Sequence, residues 1–169
     1  MNLCGAALVL LGCLYGAVSM TREQKRRVAA LREMDAALER LGAEMALRLS
    51  GLPDLTALLA GSSHGAAARF FTCLHGLLSE LGNKPFHVLW ETAVERSLQE
   101  LSAEDRSELL RLGECLGRYE LAEQLKALDA CRAQLGRSIE ARRSGLTDQR
   151  RLIFGLWLAA GGLLCIVLL

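Results

Sequence analysis

Charge is confined to the middle of this chain. Residues 3–20 and 152–169 are apolar runs without a charged side chain, and every charged residue falls between Arg22 and Arg151. A helix over 152–169 would be roughly 27 Å long at the rise of an α-helix, close to the hydrocarbon thickness of a bilayer. The run 3–20 has the same length and character. Between them the apolar positions step by three and four. Val28, Leu31, Met34, Leu38, Leu41, Met45 and Leu49 predict a helix from Thr21 to Leu49, continuous with the first run because no proline intervenes. Ser50-Gly51-Leu52-Pro53 ends it, and Pro53 suits the first turn of a short helix through Ala60, stopped by Gly61-Ser62-Ser63.

A third helix is predicted over Ala66–Leu81, with Phe70, Leu74, Leu77 and Leu81 in register and Gly82-Asn83 as its stop. A fourth spans Phe86–Leu101 behind Pro85, carrying Trp90, Val94, Leu98 and Leu101 inward. Ser102 caps a fifth, with Glu104 and Asp105 in its first turn and Leu109, Leu112 and Leu116 facing the core. Gly117 ends it. The sixth runs from Tyr119 to Arg143 along Leu121, Leu125, Leu128, Leu135 and Ile139. No alternating stretch and no Asn-Gly or Asp-Gly hairpin signal occurs. The expected fold is all-α, a membrane protein in which two transmembrane helices (1–20 and 152–169) flank a cytoplasmic bundle of about six helices (21–151). Its first and last helices should pair antiparallel, with the short helices capping the far end.

Charge sets the expected orientation. Arg22, Lys25, Arg26 and Arg27 follow the first apolar run, and Arg142, Arg143, Arg150 and Arg151 precede the second. Basic residues beside membrane spans stay in the cytoplasm, so the middle should lie inside and both termini outside. A cleaved signal peptide would carry its positive charge before the apolar stretch, and Met1-Asn2 has none. Gly12 and Gly16 form a G-x-x-x-G face, and Gly155 and Ala159 repeat the spacing, so the two spans can pack on each other or on other membrane subunits.

The chemistry expected of the middle is that of a binding surface. The chain lacks G-x-x-x-x-G-K-[ST], G-x-S-x-G and H-E-x-x-H. His64, His75 and His87 fall on different elements, which argues against a metal, and no cofactor is expected. None of the six cysteines forms a C-x-x-C pair. Glu91, Glu95, Glu104, Asp105 and Glu108 read as a solvated helix surface. Between Glu33 and Gln134 acidic residues outnumber basic ones sixteen to ten, which disfavours nucleic acid, while anionic headgroups account for the basic collars. No small-molecule substrate is implied. Two features exceed what a core requires. One is the stretch Leu112-Gly113-Glu114-Cys115-Leu116-Gly117-Arg118-Tyr119-Glu120, followed by Gln124, in which Gly113 implies a bend or a close helix approach. The other is Trp90, read as a core anchor that could alternatively face a partner.

In order and kind these parts resemble the stage III sporulation protein AB family of endospore-forming bacteria. The shared features are a span with a basic exit, a helical middle, a tryptophan (Trp90) ahead of an acidic capped helix, an L-G-x-x-L-G corner and a second span. An acidic residue and a glutamine after the corner match Glu120 and Gln124; the family more usually has Asp at the first of these. The resemblance implies a subunit in the mother-cell membrane facing the forespore, part of a channel-like complex. It also implies a cytoplasmic domain similar to that of the inner-membrane platform protein of type II secretion and type IV pilus machines, on which a separate ATPase docks.

The expectation is therefore a non-enzymatic platform subunit of a sporulation-specific, secretion-like complex. Its expected partners are a cytoplasmic ATPase, other membrane subunits and the bilayer. Gly113, Gly117, Glu120, Gln124 and Trp90 are the candidate partner-binding residues. The alternative is a membrane-tethered adaptor for a cytoplasmic protease or signalling enzyme.

Overall fold

The computed structural model describes residues 3–47 and 51–143, with side chains from residue 22 onward. It is all-helical there. Helix α1 spans Leu3–Leu47, α2 Leu52–Ser62, α3 Gly65–Leu77, α4 Phe86–Ser97 and α5 Ala103–Cys115; α6 runs from 121 to 143, where the description ends. The described residues form no strand, only an isolated bridge between Leu81 and Lys84. Among them, no helix is long and apolar enough to cross a membrane. Of the expected spans, 1–20 lies outside the described side chains and 152–169 outside the described residues, together with Leu49, Arg150 and Arg151.

The stripe on α1 becomes one wall of the core. Leu31, Met34, Leu38 and Leu41 are buried, with Val28 and Met45 at its ends and Ala30 and Ala37 between. α6 lies against this helix in the opposite sense. Arg132 reaches Asp35 at 3.2 Å and Glu39 at 3.0 Å, while a Cβ on Gly42 would sit 3.3 Å from Leu128 and 3.8 Å from Leu125. Rising numbers on α1 thus meet falling numbers on α6. Residues 22–27 and 137–143 accordingly share one end of the bundle, and Leu47 lies at the other, with the start of α6.

The short helices fill the space beside this pair. α2 packs on α3, α3 on α4 and α4 on α5, and α1 supports α2 and α3. Phe70 joins α3 to α4 by an edge-on contact with Trp90, ring centres 4.8 Å apart, and meets Phe71 at 5.0 Å. Such edge-to-face pairs suit the ring quadrupoles and contribute about 1 kcal/mol beyond their burial.

Element ends differ from the periodic reading in three places. α3 stops at Leu77 and tightens into a 3-10 turn, Leu78–Glu80, which carries Leu81 out to 44% exposure instead of into the core. Gly82 follows at φ 112°, a backbone setting that suits glycine. α4 stops at Ser97, and the turn after it still buries Leu98 and Leu101. α6 opens with Leu121 39% exposed, so its inward face starts at Leu125.

A fourth difference concerns charge. Asp105 is only 2% exposed, and it is no part of a solvated face. On α5 it lies four residues before Leu109 and seven before Leu112, both buried, so the helix turns it inward. Ser102 Oγ donates to its Oδ2 at 2.6 Å, and Arg142 Nη2 reaches the same oxygen at 2.9 Å and Ser102 Oγ at 3.0 Å. Arg142, counted among the collar residues, therefore turns inward at the end of α6. Arg22, Lys25, Arg26 and Arg143 are exposed, and Arg27 pairs with Glu23 at 2.5 Å. Burial pushes the Asp105 carboxyl up. The hydrogen bonds from Ser102 and Ser138 and the Arg142 guanidinium outweigh it and hold the pKa below the ordinary aspartate value.

Candidate functional site

Among the described residues, two surface hollows lined in part by polar side chains stand out. The larger, about 420 Å³, lies between α1 and α3 and includes Arg26, Glu33, Arg69 and Glu100. Most of its charge is already engaged. Glu33 Oε2 accepts from Ala66 N–H at 2.7 Å, capping α3 in place of a side chain from its own N-cap residue, His64, and Arg69 pairs with Glu100. That groove is an ion-paired seam.

The smaller hollow, about 320 Å³, sits at the corner between α5 and α6 and against the start of α4. Pro85, Phe86, His87, Gly113, Glu114, Leu116, Gly117 and Arg118 line it. The corner is fixed from below by Trp90, whose indole lies under α5 at 1% exposure and donates from Nε1 to the Leu109 carbonyl at 2.7 Å. A Cβ on Gly113 would stand 2.6 Å from Trp90 Cγ and closer to Cδ1, so glycine is required for the indole to seat. Of the two readings of Gly113, close approach is the one the fold uses.

Beyond Gly113 the chain turns at Gly117, whose φ of 75° lies in the left-handed region. A Cβ there would also press within 3.0 Å of Leu52 at the start of α2. The loop is then closed by Gln124. Its Oε1 accepts from Gly117 N–H at 3.1 Å and its Nε2 donates to the Tyr119 carbonyl at 2.6 Å. Glu120 is exposed, and its carbonyl accepts from the N–H groups of Glu123 and Gln124 at 3.0 and 3.1 Å, opening α6.

The structure thus gathers all five candidate partner-binding residues at one corner but gives them different duties. Trp90 and Gly113 are buried and shape the corner from inside; Gly117 and Gln124 set its loop; Glu120 is the one that presents a charge to solvent. Tyr119, 54% exposed, lies in the stretch singled out in the sequence but was not among the candidate residues, and Leu121, expected to face inward, is exposed as well. A tyrosine beside a glycine turn was the available signal. Gly12, Gly16, Gly155 and Ala159 lie outside the described side chains.

Other chemistry is not assembled among the described residues. No group of three or more His, Cys, Asp or Glu is placed there to hold a metal. His75 Nδ1 lies 3.5 Å from Thr56 Oγ1, and His64 and His87 open α3 and α4. Cys73, Cys115 and Cys131 are unpaired thiols. Burial, with Glu108 and Asp35 adding, pushes the Cys131 thiol up to about 12, so it stays protonated and is a poor nucleophile.

Comparison with curated proteins gave no match. A solved structure of stage III sporulation protein AB superposes with a TM-score of 0.66 at 20% identity, covering 73% of this chain and 98% of that one, which establishes a common fold. The family model described as Stage III sporulation protein AB matches residues 2–169. With the corner and the bundle accounted for, the chain belongs to the stage III sporulation protein AB family.

Proposed function

We propose that the chain is a non-enzymatic platform subunit of a sporulation-specific, secretion-like complex between mother cell and forespore. The apolar runs 3–20 and 152–169 anchor it in the mother-cell membrane, its bundle lies in the cytoplasm, and it docks a cytoplasmic ATPase at the corner 113–124. One observation carries this reading: the antiparallel pairing of α1 and α6 through Arg132, Asp35 and Glu39. Residues 22–27 and 137–143, which in sequence lie nearest the two apolar runs, thereby share one end of the bundle, and the corner is held at the other.

Membrane attachment at one end and an exposed, partly apolar corner at the other is what a docking element needs. Tyr119 and Leu121 supply exposed apolar area, flanked by Arg118 and Glu120. Tyrosine and arginine are over-represented among residues that dominate binding energy.

The test is a photo-crosslinking amino acid placed at Tyr119, or at Arg26 as a control, in sporulating cells. Capture of the sporulation ATPase from position 119 and not from position 26 is the expected result. Capture only from position 26, or of a protease or signalling enzyme from position 119, would replace the docking platform with a different assembly or with the adaptor.

A further inference from the structure

Gln124 has both ends of its carboxamide engaged within its own loop, on Gly117 N–H and on the Tyr119 carbonyl. Other bonds across this turn are few: Arg118 N–H reaches the Cys115 carbonyl only at 3.4 Å. The three side chains between the glycine and the helix, Arg118, Tyr119 and Glu120, are all exposed, whereas Gln124 is half-buried beneath them. A residue whose donor and acceptor are both engaged has little left to offer a partner. It can decide what the loop offers.

We propose that Gln124 is a positioning residue. Its carboxamide clasps the α5–α6 loop so that Arg118, Tyr119 and Glu120 form one preorganised contact surface, and Gln124 itself does not touch the partner. This rests on the docking reading above. The surface fits an amphipathic segment of the ATPase with an apolar position against Tyr119 and Leu121, an acid for Arg118 and a base for Glu120. Preorganisation matters because a loop that must be ordered on binding weakens association.

The two ends of the clasp can be separated chemically. In Gln124→Glu the carboxylate still accepts from Gly117 N–H but has no proton to donate to the Tyr119 carbonyl. Protonated, it has one. The unaltered chain, Gln124→Ala, Gln124→Glu and Tyr119→Ala would be compared as full chains in lipid nanodiscs. The readouts are hydrogen exchange of the peptide containing Gly117, each variant against the unaltered chain at the same pH, and binding of the purified sporulation ATPase.

Gln124→Ala should speed exchange at Gly117 about fivefold or more, the size of one lost hydrogen bond, and weaken ATPase binding about tenfold. Gln124→Glu should fall between the unaltered chain and Gln124→Ala in the exchange readout at pH 7, because it keeps the acceptor for Gly117 N–H and loses the donor to the Tyr119 carbonyl, and should match the unaltered chain below the ordinary glutamate pKa of about 4.3. Tyr119→Ala should weaken binding and leave exchange at Gly117 unchanged. Weakened binding by Gln124→Ala with unchanged exchange would make Gln124 a direct contact and overturn the proposal. Faster exchange with unchanged binding would overturn it too, leaving the clasp a feature of folding alone. If the ATPase does not bind the unaltered chain, the docking reading fails and the positioning role fails with it, while the exchange result still decides whether the clasp exists.

Discussion

At the scale of single residues, the corner depends on one absent methyl group. Gly113 leaves room for the Trp90 indole, and Trp90 in turn holds α5 through the Leu109 carbonyl. Gly113→Ala must displace a ring that Phe70 and Phe86 also contact. We expect a loss of about 1–3 kcal/mol, the range for overpacking a filled core, with a changed tryptophan emission spectrum. Thermal melts followed by circular dichroism would measure the first. An unchanged melting temperature would mean the indole has another place to go.

Asp105 is the other residue on which much rests. Its folded pKa lies below the unfolded value, so its contribution to stability is present above about pH 4, the ordinary aspartate range, and lost as pH falls through the lower folded value. Asp105→Asn should remove about 2–3 kcal/mol at pH 7, because it removes the charge paired with Arg142 at a largely buried site, and should flatten the acid limb of stability below the ordinary aspartate range of about pH 4. A denaturation series across pH would show both. The sequence held part of the signal for this residue, since an aspartate four places before Leu109 and seven before Leu112 lies on the inward stripe of α5. Its proximity to Ser102 made it look like a first-turn acid only, and it is both. Gln124 was legible as a residue and not as a device. Its partners are backbone groups five and seven positions away, and no side-chain pattern reports them.

At the scale of elements, periodicity located the helices well and their ends less well. The stripe from Val28 to Met45 is intact, and the fifth helix begins where Ser102 caps it, with Asp105 N–H donating to Ser102 Oγ at 3.3 Å. The end of α4 was not legible. Ser97-Leu98-Gln99-Glu100-Leu101 contains no breaker, and tertiary packing ends the helix so that Leu98 and Leu101 can both be buried before the Ser102 cap. The start of α3 shows the same principle. Ser62 and Ser63 beside His64 do not cap it; the cap comes from Glu33 on α1, over Gly65 at φ 56°. Glu33→Ala should therefore destabilise the bundle by about 1 kcal/mol, as loss of an N-cap does, although it lies far from α3 in sequence. Chemical denaturation would read this as a lower midpoint with an unchanged slope. No change would mean that water caps Ala66 equally well.

For the whole molecule, the antiparallel α1–α6 pair gives the bundle two distinct ends. The collars Arg22–Arg27 and Arg137–Arg143 lie at one, and Tyr119, Leu121 and Leu47 are exposed at the other. In the proposed platform the first end meets the membrane and the second meets the ATPase. Asp105 and Gly113 lie on the same helix, so α5 joins the latch at Arg142 to the corner seated on Trp90. The most direct measurement is the affinity of the full chain in lipid nanodiscs for the sporulation ATPase, with and without nucleotide, against Glu120→Lys. The account predicts nucleotide-dependent binding that Glu120→Lys weakens about tenfold with helix content unchanged. Binding indifferent to both nucleotide and Glu120→Lys, or none to a folded chain, would contradict it.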